Sequence, residues 1–467
     1  MPEIDQKFKQ QIKDCRELIT HNRLSEAEQL LESLTEWTTT QEGKDPRPAI
    51  DCENEIARIA IHRGDATKAI AVTQEILARI ESKKLDYAYG KGVALATLGA
   101  SYSQRGDSDQ ATTYYNEALS IWKDLGDRDH IARCLNNLAT IDSTQGNSLE
   151  ALKRYEEALE IWTKTGNPIG TAACFNNIAI LKQDAGDLSG ALQGYRKALE
   201  EARKAGDDYM QATALDNLGW VYAALDAPEQ ALECLQDAET LFQAENDPGL
   251  HVDIAFGKAS VLADIKRHEE AKHALLVGQT TAQHLDSRPL QVAGRFYEGY
   301  LNLRQHNLKP ARIILETVLE QAKELRLVEY ILQALVHLIE IDLLEYRATF
   351  DEIHLDNMKE RISEAYQQAT HHQRVIVLVE IATLEALLCA ANMELDKAIK
   401  GMEFVVKLTE DRYLPQHAKT AEEHLLRLRS LKKKAQQHLK KRIERAEVDE
   451  MLEAVRDVEK HFRAHGT

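Results

Sequence analysis

The chain has 467 residues, 43% of them hydrophobic and 29% charged, with a formal net charge of -18. That balance suits a soluble folded protein with room for several ordinary domains or one long array. The acidity disfavours non-specific nucleic-acid binding by the chain as a whole, and no run approaches the roughly 20 apolar residues of a membrane span.

The first ten residues, MPEIDQKFKQ, are polar and lack an apolar core, so we expect no signal peptide and a cytoplasmic location. From there a pattern recurs. Ala27, Ala69 and Ala111 stand 42 residues apart. Ala151, Ala191, Ala231, Ala271 and Ala311 follow at intervals of 40. Four residues after the anchor, from Ala111 onward, come Tyr115, Tyr155, Tyr195, Leu235, Leu275 and Leu315. Seven after it come Ala118, Ala158, Ala198, Ala238, Gly278 and Val318, and twelve before it Gly99, Ala139, Ala179, Gly219, Ala259 and Gly299. In 92–126 apolar and small residues recur at helical spacing through Leu95, Leu98, Gly99 and Tyr102. Gly106-Asp107 then breaks the helix, and a second begins before Ala111. Beyond Ala311 the next anchor is Met358, with Ile362 and Ala365, which implies about seven inserted residues near Glu345–Leu355. Ala398, with Met402 and Val405, comes 40 later. These ten anchors predict about nine helix pairs. After Pro415 the pattern changes: 416–463 contain no Gly or Pro and read as one or two long helices. Within 427–445 lie nine basic residues and one acid, a net +8 against -26 for the rest of the chain.

A period of this length means a solenoid whose repeats bury their apolar faces against one another. Leu98-Gly99, Leu138-Ala139, Ile178-Ala179 and Leu218-Gly219, with the two alanine columns and the tyrosines between them, resemble the tetratricopeptide-repeat family. Lys258 and Glu298 depart from the large apolar column. The family period is usually about 34; the longer one here is similar to that of kinesin light chains, Pins-type adaptors and some bacterial regulators, and adds roughly 1.7 helical turns. The resemblance implies an all-α, right-handed superhelix spanning 1–415, best defined over 91–330, with 416–467 as a helical extension.

It also implies that ligand contacts lie on the first helix of each pair, in slots that hold Asn136, Asn137 and Thr140, then Asn176 and Asn177, then Asp216, Asn217 and Trp220. An amide both donates and accepts, so a column of asparagines can grip an extended peptide backbone or, alternatively, join neighbouring helices. Phe256, Tyr297 and Tyr300, with Phe296, continue that face as an aromatic pocket for an apolar partner side chain, or as ordinary packing. The basic residues Lys432, Lys433, Lys434, Lys440, Lys441 and Arg442 can dock on the acidic array, meet an acidic partner, or touch nucleic acid. The last is disfavoured by the lack of aromatics for stacking. Met451, Val455, Val458 and Phe462 form a stripe that joins a second copy or caps the array.

Six cysteines without a C-x-x-C pair read as buried free thiols. No H-E-x-x-H, P-loop or G-x-S-x-G motif is present, and no cofactor or metal is expected. The reading is a non-catalytic scaffold or adaptor for a peptide or protein; the alternative is a ligand- or peptide-sensing regulator of a signalling, transcription or effector partner.

Overall fold

The computed structural model describes residues 2–437, apart from 21–22, 42–44, 186, 243–247, 286, 350, 372–374, 392–393 and 412–414. Among the described residues there are 21 α-helices and no strand. The first eight are α1 (Pro2–Thr20), α2 (Leu24–Gln41), α3 (Arg47–His62), α4 (Ala66–Ser82), α5 (Ala88–Gln104), α6 (Ser108–Leu125), α7 (Arg128–Thr144) and α8 (Ser148–Thr165). Then come α9 (Pro168–Asp184), α10 (Leu188–Ala205), α11 (Asp208–Ala224), α12 (Pro228–Phe242), α13 (Pro248–Asp264), α14 (His268–His284), α15 (Arg288–Arg304) and α16 (Leu308–Leu325). The last five are α17 (Val328–Thr349), α18 (Glu352–His371), α19 (Val375–Ala391), α20 (Leu395–Asp411) and α21 (Pro415–Gln437). The chain forms two compact units: Met1–Ile178 with Lys197–Ala212 and Leu241–Asp247, and Ala179–Arg196 with Thr213–Thr240 and Pro248–Thr467.

All ten anchors fall on even-numbered helices and are buried, nine of them at 0% exposure and Met358 at 1%. Ten pairs result among the described residues, in line with the expected nine or so, and each anchor, Ala27 included, stands on the second helix of its pair. The small column is the complement of the large residue after the anchor. A Cβ on Gly99 would lie 3.0 Å from the Tyr115 ring, one on Gly219 2.8 Å from Leu235, and one on Gly299 2.9 Å from Leu315. The column therefore holds only Gly or Ala where the second helix pushes a side chain into the first, and at these three glycines an added Cβ would crowd that side chain.

The turns follow one design. Gly106 takes φ +77° and its neighbour Asp107 caps α6, its carboxylate accepting from the Gln110 amide at 3.1 Å. Asp65 and Asp127 cap α4 and α7 likewise. In the second unit the left-handed position passes to Asp226, Lys266, His306 and Arg326, which carry a Cβ there.

In the first unit the added helical length is spent on tryptophan. Trp122 is fully buried and Trp162 nearly so. Each presses on a glycine, since a Cβ on Gly92 would lie 2.7 Å from Trp122 and one on Gly170 2.2 Å from Trp162. The Trp162 indole N–H donates to Asp129 at 2.7 Å.

In the second unit the two departures are answered by partners. Lys258 pairs with Glu239 at 2.8 Å and donates to Gln236 at 3.2 Å. Glu298 accepts from Gln279 at 3.4 Å. The inserted residues lengthen helices instead of forming a long loop: α17 has 22 residues and α18 has 20. Buried carboxylates here meet guanidinium groups. Glu340 takes both Arg304 nitrogens, at 2.6 and 3.2 Å. Asp342 takes Arg312 at 2.7 Å and Arg361. The start of the basic segment docks back: Ala421, Leu425 and Leu428 of α21 are buried in the same core as α20, Arg429 pairs with Glu403 at 2.7 Å, and Lys432 with Asp396.

Candidate functional site

Of the predicted residues, Asn136, Asn137, Asn176 and Asn177 belong to the first unit, and Asn217, Trp220, Phe256, Tyr297 and Tyr300 to the second.

In the first unit the asparagines form a hydrogen-bonded chain. Asn177 Nδ2 donates to Asn136 Oδ1 at 3.1 Å, Asn136 Nδ2 to Asn137 Oδ1 at 3.5 Å, and Asn137 Nδ2 to Tyr115 Oη at 3.2 Å. This ties α9 to α7 and α7 to α6. Asn176 is buried, whereas Asn136, Asn137 and Asn177 are half-buried. An amide carries two N–H groups and an oxygen with two lone pairs, so one internal bond of each kind does not exhaust it.

In the second unit four successive first helices, α11, α13, α15 and α17, line one cleft of about 320 Å³ together with α9 and α10. Trp220, Phe256, Tyr297 and Tyr330 supply its rings. Phe256 packs on Tyr297 with centroids 5.0 Å apart. Gly257 occupies the place forty residues after Asn217, and a Cβ there would meet the Trp220 ring at 3.3 Å. Asp184, Asp216, Asp253 and Glu329 supply carboxylates, and among the described residues no Lys, Arg or His lines the cleft. Asp216 is 8% exposed, and its Oδ1 has no hydrogen-bond partner among the described residues. Burial pushes its carboxyl up to about 8; the neighbouring Asp253 adds to this, and a hydrogen bond from Trp220 opposes it. Burial, then Tyr330, Asp253 and Asp216, hold the Tyr297 phenol well above its ordinary range.

Tyr300 stands apart from this cleft. It is 5% exposed, donates to Asp264 Oδ1 at 2.6 Å and carries the Arg304 guanidinium over its ring at 4.5 Å. Phe296 is likewise in the core. Asp253, Glu329, Tyr330 and Gln333 also line the cleft but lie N-terminal to the slots that the resemblance marks, so the repeat pattern does not point to them.

Lys433 is exposed on α21 and Lys432 is half-buried beside Asp396. The Lys434 side chain, Lys440, Lys441, Arg442 and the Met451–Phe462 stripe lie outside the described residues. Asp342, Glu345 and His354 come close enough to share a cation, but Arg312 bonds Asp342 and Glu345, at 2.7 and 2.5 Å, and Arg361 bonds Asp342. The cluster is an ion-pair network. Burial pushes the thiols of Cys15, Cys52, Cys134 and Cys174 up to about 12, so they are protonated near neutrality. No helix among the described residues is long and apolar enough to cross a membrane.

The tetratricopeptide-repeat model matches residues 49–124, 91–164 and 170–244. No curated protein matches the chain by sequence. Among solved structures, the apo form of the quorum sensor NprR from B. thuringiensis is 17% identical with a TM-score of 0.56, over 79% of this chain and 99% of that one. A Rap protein complexed with competence and sporulation factor is 17% identical with a TM-score of 0.52, over 78% and 99%. The Rap conjugation gene regulator of plasmid pLS20, in complex with the Phr* peptide, is 15% identical with a TM-score of 0.52, over 79% and 96%. At these identities the likeness is one of fold. Ten anchored helix pairs and a small column complementary to a large one agree with the repeat model's matches, and the chain carries tetratricopeptide repeats over 49–164 and 170–244.

Proposed function

We propose that this chain is a non-catalytic binding protein that takes an extended peptide segment of a partner on the first helices of its repeats. The observation that carries the reading is the cleft of the second unit, where four successive first helices offer rings and carboxylates to one space. Rings give contact area at low entropic cost, and a few placed polar groups give orientation. The half-buried asparagines of the first unit supply amides of the kind that pair with a peptide backbone. Two of the fold relatives were solved with a factor or peptide bound, and one is a quorum sensor, which supports the regulatory form of this reading: the bound segment controls what the chain does to an effector.

The test begins with a pull-down from native lysate to identify a partner. Its affinity is then measured for the wild type, for Asn137→Ala with Asn177→Ala, for Trp220→Ala, and for Leu276→Ser on an exposed second-helix position. The reading expects losses of about tenfold or more in the first two variants and none in the third. Equal affinities throughout would place recognition elsewhere. For the regulatory form, ligand should change the small-angle scattering curve; an unchanged curve counts against it.

A further inference from the structure

Resting on that peptide-binding reading, we propose that the cleft formed by α11, α13, α15 and α17 is a cation subsite that takes one lysine or arginine side chain of the bound segment, with Asp216 as its anion and Trp220 and Tyr297 as its walls.

Three observations converge on it. The first is charge. Asp184 faces the cleft from α9, Asp216 from α11, Asp253 from α13 and Glu329 from α17, and among the described residues the lining holds no cationic one. The second is an unmet bond. Two buried carboxylates of this unit are answered by guanidinium groups, Glu340 by Arg304 and Asp342 by Arg312 and Arg361, whereas Glu380, away from the cleft lining, also keeps an oxygen without a partner among the described residues. What marks Asp216 is its place: its side chain is more than nine-tenths buried, it lines the cleft, and Oδ1 receives no donor from the described residues. A buried carboxylate oxygen left without a donor costs stability, and an ammonium or guanidinium from a ligand supplies the missing bond. The third is the walls. A cation over the face of an aromatic ring is attracted by the ring quadrupole, most strongly by tryptophan. The alkyl stem of a long cationic side chain matches Phe256 and Ile180, which also line the space. An apolar side chain, which the rings alone would accept, leaves Asp216 unanswered.

The proton inventory agrees with the geometry. With a carboxyl pushed up to about 8, Asp216 is largely protonated at neutral pH in the empty cleft. Tyr195, Tyr297 and Tyr330 face it as neutral phenols, held so by burial. A cation at Oδ1 favours the ionised form, so binding releases a proton.

The experiment is a positional-scanning array of synthetic heptapeptides, N-acetylated in one set and with free amines in the other. It is probed with the full chain as wild type, Asp216→Asn and Asp253→Asn, each checked for helicity by circular dichroism. The expected result is one position at which Lys or Arg outbinds Leu and Glu by about tenfold in the acetylated set, as befits a buried charge-assisted bond. That preference should shrink to about twofold in Asp216→Asn and weaken in Asp253→Asn. Calorimetry of the best peptide in buffers of different ionisation enthalpy should show proton release by the wild type and none by Asp216→Asn. Peptides that bind without a Lys or Arg preference, or with one that Asp216→Asn keeps, overturn the subsite and leave the peptide reading standing. A preference seen only with free amines overturns the side-chain assignment in favour of an α-amine. If no heptapeptide binds, the peptide reading fails and the subsite falls with it.

Discussion

Replacing Asp216 by asparagine should stabilise the protein near neutral pH, and the gain should be pH-dependent. Asp216 is 8% exposed and its carboxyl is raised from 3.8 to about 8, first by burial and then by Asp253. The folded state therefore holds a proton that the unfolded state has released across that interval. Stability from this group is complete below the unfolded value of 3.8 and is lost as pH rises through the folded value of about 8. Each pH unit in the window removes about 1.4 kcal/mol, so the loss by neutral pH is on the order of 4 kcal/mol, a large share of a typical folding free energy. Asparagine has the same shape, keeps an oxygen for the Trp220 indole and does not titrate. The measurement is a series of urea melts of both proteins, followed by far-UV circular dichroism, from about pH 4 to about pH 8. The midpoint difference should be small at the acid end and grow steadily towards the neutral end. A difference that stays flat would show that Asp216 does not sit in the buried, uncompensated setting described here.

Other outcomes follow from packing and turns. Gly170→Ala places a Cβ 2.2 Å from the Trp162 ring, and should cost roughly 1–3 kcal/mol in thermal or urea melts, with Trp162 fluorescence altered. Lys266→Gly and His306→Gly relieve left-handed residues at φ 62° and 60°; each should raise stability by roughly 0.5–1 kcal/mol in the same melts, after the added freedom of glycine in the unfolded chain is counted. Arg304→Met leaves the buried Glu340 without its bidentate partner, and should cost about 3–5 kcal/mol, most of it recovered in the double variant with Glu340→Leu. Asn137→Ala with Asn177→Ala should weaken a partner peptide by about tenfold, and unaltered affinity would leave the asparagine chain with a packing role alone.

The repeat was legible because close approach of two helices admits few residues. A fully buried Ala at each anchor and a Gly or Ala facing Tyr or Leu are constraints that recur with the fold, so they recur in the sequence. The breaks were not legible. Lys258 and Glu298 stand where a large apolar residue is usual, yet both are satisfied by partners on the preceding second helix, Glu239 and Gln279, which no single-helix pattern reveals. The asparagines could be placed on first helices but not weighed, since Asn177, Asn136, Asn137 and Tyr115 bond across three helices. The sequence marks the rings of the cleft and, of its acids, Asp216 alone. Its carboxylates occupy unequal positions along four helices, so no fixed spacing joins Asp216 to Asp253 or Glu329. Tyr300, by its spacing a neighbour of Tyr297 on one face, is taken by Asp264 and Arg304.

Hydrogen exchange of the full chain, read by mass spectrometry with and without the tightest heptapeptide from the array, tests the central claim most directly. The account predicts slowed exchange on the first helices, in the stretches that carry Asp216 to Trp220, Asp253 to Phe256 and Tyr297, with the second helices α12, α14 and α16 unchanged. Protection confined to those second helices, or to α21, would contradict it and move recognition off the first-helix surface.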